Sequence, residues 1–256
     1  MPSLVDFNVE DSVAVVRLNR PPVNALSAEL SADLKTAFEE AADPKVRAVV
    51  VTGQPHFAAG ADIKGFRAVY ESGGKEGLAR TLAETVLVLE GLEKPTIAAV
   101  HGYALGGGLE LSLGADLRFL ADDALVGQPE ILLGLIPGAG GTQRLARVVG
   151  FQRAKEMVFT GRQVGAAEAL TIGLADRVYS PDRLLEEAMQ AGREMARWPT
   201  RAIAAAKRAL AGGWGRSLEE GLAVEAMEFE ASFWTDDARE GVSAFLEKRQ
   251  AAFNGK

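Results

Sequence analysis

Along the first 180 residues, short apolar runs of strand length alternate with longer segments whose apolar positions recur at helical spacing. Leu4–Val9 and Val13–Asn19 predict a hairpin that turns at Glu10-Asp11-Ser12. Arg20-Pro-Pro-Val-Asn24 must leave the sheet, because proline has no N–H for the ladder. Ser27 is placed to cap a helix over Ala28–Ala42, which Asp43-Pro44 ends. Arg47–Thr52, with Val49-Val50-Val51 at its centre, predicts a buried strand. Next come a helix over Leu78–Leu92, a strand at Thr96–Val100, a helix opening near Gly107 and a strand at Leu117–Leu120. Helices over Thr142–Val149 and Gln152–Thr160 follow. Gly65–Arg80, which contains Gly73-Gly74, has the composition of a mobile loop.

This alternation, running to about Val178, predicts an α/β core. The pattern then becomes all-helical. Ser180-Pro181 pairs a cap with a proline in the first helical position, Ser217-Leu-Glu-Glu220 is a capping box, and Thr235-Asp-Asp starts the last helix. Pro199 and Gly212-Gly213 divide these helices. The expected organisation is an α/β core over 1–180 and a helical region over 181–256. That region has little sheet to pack on, and Leu218, Leu222 and Met227 form an apolar face, so it is expected to meet other subunits.

The whole chain, 256 residues, allows one large domain or one domain with a helical appendage. A net charge of −7 disfavours a nucleic-acid partner, which needs a positive field. Without cysteine, disulfides and thiolate chemistry are excluded, and two histidines, His56 and His101, are too few for a multi-histidine metal centre. The start, Met1-Pro-Ser-Leu-Val-Asp-Phe, lacks a leader pattern, and His101 and several glycines break the longest uncharged run, Pro95–Leu109. The expectation is a cytoplasmic protein with no membrane partner.

The candidate chemistry lies in three segments. Gly106-Gly107-Gly108 follows a strand and opens a helix, where unpaired amides attract negative charge; the other reading is a turn that needs positive φ. The lysine of a P-loop and the last glycine of a dinucleotide fingerprint are both missing. Glu110 lies among Leu109, Leu111 and Leu113, and a charge there is costly unless it is paired or used. It is either a carboxylate that caps neighbouring backbone or a proton-transfer group, and Glu130, after Pro129, is either an exposed loop acid or its partner. Burial would raise the pKa of either. Taken alone, Asp62 serves a helix N-terminus, Lys64 is a surface lysine and His101 is a packed strand-end residue.

Taken together, Phe57-Ala-Ala-Gly-Ala-Asp-Ile-Lys64, Gly102-Tyr-Ala-Leu-Gly-Gly-Gly-Leu-Glu110 and Gln128-Pro-Glu130 with Ile136-Pro-Gly-Ala-Gly-Gly-Thr-Gln-Arg-Leu145 closely resemble the enoyl-CoA hydratase (crotonase) superfamily. Asn19–Leu26 and Gly161–Ala175 extend the resemblance over essentially the whole chain. His101 stands where the family often has asparagine, and Leu109 where it often has cysteine. The resemblance implies a spiral of ββα turns followed by a helical trimerisation region. It implies an oxyanion hole from the Ala61 and Gly107 N–H groups, and Glu110 and Glu130 as the acid/base pair. CoA contacts would come from Ala25, Ala59, Asp62, Ile63 and Lys64, with Phe245 and Lys248 beside the nucleotide; these two lie three apart on the last helix and so are expected to share one face. Gly106, Gly108, Pro129 and Gly138 would shape the site. The implied reaction is reversible hydration of a trans-2-enoyl-CoA, in a homotrimer or dimer of trimers. CoA would be carried by the substrate, with no other cofactor and no metal. The alternatives are an enoyl-CoA isomerase and a non-catalytic acyl-CoA- or RNA-binding member.

Overall fold

Two positive-φ residues, Asp11 (φ 50) and Ser12 (φ 65), make the tight turn between β1 (Val5–Glu10) and β2 (Val13–Leu18). The computed structural model describes residues 3–72 and 78–256. After the hairpin comes α1 (Ala28–Glu40), whose cap Ser27 accepts a hydrogen bond from Leu30 N–H at 3.2 Å.

The chain then winds through three similar turns. The first is β3 (Ala48–Gly53), β4 (Ala58–Ala59), α2 (Ile63–Ser72) and α3 (Leu78–Glu90). The second is β5 (Thr96–Val100), β6 (Tyr103–Leu105) and α4 (Gly107–Leu113). The third is β7 (Leu117–Ala121), β8 (Leu125–Gly127), a 3₁₀ turn over Pro129–Leu133, α5 (Gly141–Val149) and α6 (Phe151–Thr160). Each turn gives one strand to each of two sheets and then a helix. With β9 (Gln163–Gly165), α7 (Ala166–Thr171) and β10 (Arg177–Tyr179), the sheets are completed as β1-β2-β3-β5-β7-β10 and β4-β6-β8-β9. From β2 to β10 the larger sheet is parallel; in the smaller one only β9 runs antiparallel to its neighbour. This is the spiral that the sequence resemblance implies.

Every residue of β3 and β5 is buried, which is why these strands are apolar runs without alternation. One cover is α8 (Pro181–Ala196), which packs across β2, β3, β5, β7 and β10 through Leu184, Ala188, Ala191 and Gly192. Two expectations are corrected here. The helical region does have sheet to pack on, because its first helix belongs to the core. And Gly65–Arg80 is helix on both sides, in α2 and α3; residues 73–77 lie outside the described residues.

The chain leaves the core with α9 (Thr200–Gly213), α10 (Leu218–Phe233) and α11 (Asp236–Glu247). Gly212 and Gly213 end α9, and the chain breaks there before α10, as the sequence predicts. The capping box at Ser217 and Glu220 forms as the spacing predicts. Residues beyond α11 fold back as a strap. The Asp237 carboxylate accepts from Asn254 N–H (2.7 Å) and Gly255 N–H (2.8 Å). Arg47, just before β3, donates to Phe253 O (3.1 Å), Trp198 O (2.8 Å) and Thr200 Oγ1 (3.0 Å). Among the described residues, no helix is long and apolar enough to cross a membrane.

Candidate active site

The ends of β4 and β6 bring two backbone segments to one cavity of about 500 Å³. Leu26 bridges to Ala61: Leu26 N–H donates to Gly60 O (2.8 Å), and Asp62 N–H donates to Leu26 O (3.0 Å). A parallel bridge of this kind leaves the Ala61 N–H on the side away from Leu26, and Ala61 lines the cavity. Gly107 is the first residue of α4, so its N–H has no partner within the helix, and it too lines the cavity. Before it, Gly106 has φ 53, and a Cβ there would stand 2.9 Å from Glu130 Oε1. A side chain at Gly108 would meet Ala58 O at 2.0 Å, so glycine lets α4 press directly on β4.

Glu110, in the first turn of α4, is 3% exposed. Its Oε1 accepts from Ala139 N–H (2.6 Å) and Gly141 N–H (2.7 Å), where the chain enters α5. Both amides use one oxygen. Glu110 also lines the cavity. Burial pushes its pKa above the usual carboxylate range, while the two amides and the Arg144 charge pull it back. The carboxylate caps backbone, as one of the two sequence readings has it, and it also reaches the cavity.

Glu130 sits in the 3₁₀ turn and lines the same cavity. Burial, with the negative charge of Glu110 added, pushes its pKa up to about 7, against an opposing backbone hydrogen bond. Fully buried Gln128 lies beside it; with its amide nitrogen turned to Glu130, it donates to the two carboxylate oxygens at 2.9 and 3.1 Å. A carboxylate raised in the folded state stabilises the fold below its unfolded pKa of roughly 4.3. That contribution is lost as pH rises through about 7. Glu130→Gln is therefore expected to be more stable than the parent at pH 8. The full shift corresponds to about 3 kcal/mol, which water at the open side of the site reduces to ~1–2 kcal/mol. Thermal unfolding at pH 8 and pH 4 checks this. Equal Tm differences at the two pH values would rule out a raised Glu130.

The remaining sequence candidates divide. Ala59, Ile63, Pro129 and Gly138 line the cavity, joined by Val69, Tyr70, Leu82, Leu105, Leu133, Leu135 and Ile136, so its wall is largely apolar. Asp62 and Ala25 are tied together instead: Arg20 pairs with Asp62 at 2.6 Å and donates to Ala25 O at 2.8 Å. This link spans 42 residues. Lys64 lies in the first turn of α2, but its side chain lies outside the described residues. Phe245 is 83% exposed and is not part of the cavity wall. Lys248 is the left-handed C-cap (φ 56) of α11 rather than a residue on its face, which corrects the expected three-residue pairing with Phe245. His101 is buried, with Nε2 3.1 Å from Pro181 O, and burial lowers its pKa; it is the packed strand-end residue expected. Sequence reasoning assigned no role to Gln128, Arg20 or the amides of Ala139 and Gly141. Of these, only Gln128 carried a local signal, a polar side chain between Gly127 and Pro129.

Comparison with known proteins now decides the family. The model described as enoyl-CoA hydratase/isomerase matches residues 8–256. The chain belongs to the enoyl-CoA hydratase/isomerase family. It is 44% identical over 247 residues to a protein of Rhizobium meliloti named as a probable enoyl-CoA hydratase, covering 94% of each chain. A crystal structure of enoyl-CoA hydratase from Bacillus anthracis superposes with a TM-score of 0.90 at 36% identity, over 99% of this chain and 100% of that one. One from Mycobacterium smegmatis gives 0.90 at 33% identity, over 98% of each. The spiral described above is thus the crotonase fold.

Proposed function

We propose that this member of the family hydrates trans-2-enoyl-CoA thioesters reversibly to 3-hydroxyacyl-CoA. The observation that carries this reading is the meeting of a buried carboxylate, Glu110, and a half-buried one, Glu130, with the Ala61 and Gly107 amides in one largely apolar cavity. The thioester oxygen accepts hydrogen bonds from Ala61 N–H and Gly107 N–H, so charge leaves the double bond and C3 becomes electrophilic. Glu110, with one oxygen occupied by two amides, uses the other to take a proton from water as it attacks C3. Glu130, whose pKa of about 7 keeps a large fraction of it protonated at neutral pH, delivers a proton to C2 on the same face. The developing enolate is held chiefly by the amide pair, each donor contributing about 2.7–4 kcal/mol. This chemistry asks for no cofactor beyond the CoA of the substrate. In this reading the Ala59–Ile63 backbone, Ala25, Asp62 and Lys64 receive the nucleotide half of CoA, with Phe245 and Lys248 alongside.

The test is turnover of enoyl-CoA esters of graded chain length, followed by loss of the conjugated thioester absorbance. Conversion of a 3-enoyl-CoA to the conjugated ester with no hydration would assign the isomerase reaction instead.

We also propose a trimer or a dimer of trimers. Between α9 and α10 lies a groove of about 900 Å³, bordered by exposed Leu210, Trp214, Leu218, Leu222 and Phe229. Light scattering is expected to give three or six times 27.1 kDa at micromolar concentration, and a monomer mass would contradict the assignment.

A further inference from the structure

Arg144 belongs to the last sequence motif, yet its guanidinium is not part of the cavity wall. It lies in the first turn of α5 and folds back on the turn that precedes the helix. Nη1 donates to Ala139 O at 3.1 Å, and Nη2 pairs with Glu90 Oε2 at 2.6 Å, at the end of α3. The side chain is only 15% exposed. A Cβ on Gly140, whose φ is 107, would stand 2.0 Å from Arg144 Nη1, so the guanidinium fills the space beside that residue. The same turn supplies the Ala139 and Gly141 N–H groups that hold Glu110 Oε1. Three residues thus present amides to the buried acid and a carbonyl to Arg144.

We propose that Arg144, braced by Glu90, is a positioning residue for Glu110: it fixes the 139–141 turn so that both amides stay on one carboxylate oxygen and the other is left for water. The proposal rests on Glu110 being the base of the hydration above. Two charged groups face Glu110 from the packed elements, Arg144 of α5 behind the turn and Glu130 of the 3₁₀ turn, while Glu90 of α3 neutralises Arg144 from outside. Removing Arg144 leaves burial less opposed and moves Glu110 to a higher pKa. Removing Glu90 leaves the Arg144 charge unbalanced and moves Glu110 lower. Arg144→Gln frees the turn outright, whereas in Glu90→Gln the Arg144–Ala139 O bond keeps both amides on Glu110 and only the brace that sets their position is lost. A pair that merely stabilised the fold would not separate the two variants in this way.

The experiment compares Arg144→Gln, Glu90→Gln and Arg144→Lys with the parent protein. Crotonyl-CoA hydration is measured against pH, and the Glu110 carboxyl is titrated by NMR of glutamate labelled with carbon-13, assigned with Glu110→Gln. In Arg144→Gln and Glu90→Gln, kcat is expected to fall about tenfold or more, with KM within about twofold. The acid limb of the profile and the carboxyl midpoint move up in Arg144→Gln and down in Glu90→Gln. Arg144→Lys keeps the charge without the planar fork, so its midpoint returns towards the parent value while kcat stays low. Unchanged kcat and midpoint in a folded Arg144→Gln, or midpoints moving the same way in both variants, would overturn the proposal. If Arg144→Gln does not fold, Glu90→Gln decides alone, and an unchanged or raised midpoint refutes it. If the parent protein hydrates no enoyl-CoA, the reaction assigned above fails, and the carboxyl titration still decides the role of Arg144.

Discussion

Glu110→Gln is expected to lower crotonyl-CoA hydration by about 10²–10⁴-fold while CoA-ester binding survives. The geometry makes this a clean substitution. Ala139 N–H and Gly141 N–H both donate to a single oxygen of Glu110, and the glutamine carbonyl can accept the same pair. The amide nitrogen then takes the place of the other oxygen, where it cannot accept a proton from water. Glu130→Gln is expected to cost a similar factor by a different route, because the proton for C2 is missing. The two losses should not add when combined, since both acids serve one addition. Turnover is read from the conjugated thioester absorbance, and binding from calorimetry with a saturated CoA ester. Near-parental turnover in either single variant would refute the two-acid reading.

The second large effect concerns an amide. Gly107→Pro deletes one N–H from the cavity while leaving both acids in place. Proline is tolerated in the first position of a helix, which is where Gly107 stands in α4. Loss of one oxyanion donor is expected to reduce kcat about 10²–10³-fold. Gly107→Ala is the control. It keeps the N–H, and its Cβ would stand 2.8 Å from Leu82 Cδ2, the far end of a side chain that can move. Vibrational spectra of a bound CoA ester give a second reading: the thioester carbonyl should be polarised in Gly107→Ala and less so in Gly107→Pro. Equal carbonyl shifts in the two folded variants would remove Gly107 from the oxyanion hole.

Much of the larger sheet was legible in the sequence because its strands are buried on both faces. Val49-Val50-Val51 and Thr96–Val100 are apolar runs for that reason, and they stand where the pattern placed them. The smaller sheet was not legible. Its strands, such as Ala58–Ala59 and Tyr103–Leu105, are two or three residues long, too short to show a period of two. They are strands only because the neighbouring turn supplies a partner. The helix Ile63–Ser72 was hidden by Gly65, which lowers helix propensity without preventing a helix. At the site, the family resemblance singled out Glu110, Glu130, Ala61 and Gly107, and the fold brings all four to one cavity. What holds Glu110 was beyond local reading, since its hydrogen-bond partners lie 29 and 31 residues further along the chain. Lys248 misled through periodicity: the helix ends one residue before it, and a left-handed cap turns it off the expected face.

The strap has a consequence for synthesis. Arg47 stands at the mouth of the central strand β3, but one of its carbonyl partners, Phe253, leaves the ribosome 206 residues later. By then α8 has been made, and the sheet with its cover can already have condensed. The contacts that seat the strap, through Arg47 and Asp237, form only after that, and they tie α11 to the rest of the fold. Nascent chains should therefore acquire a protease-resistant core while the apolar faces of α9 and α10 are still without a settled orientation.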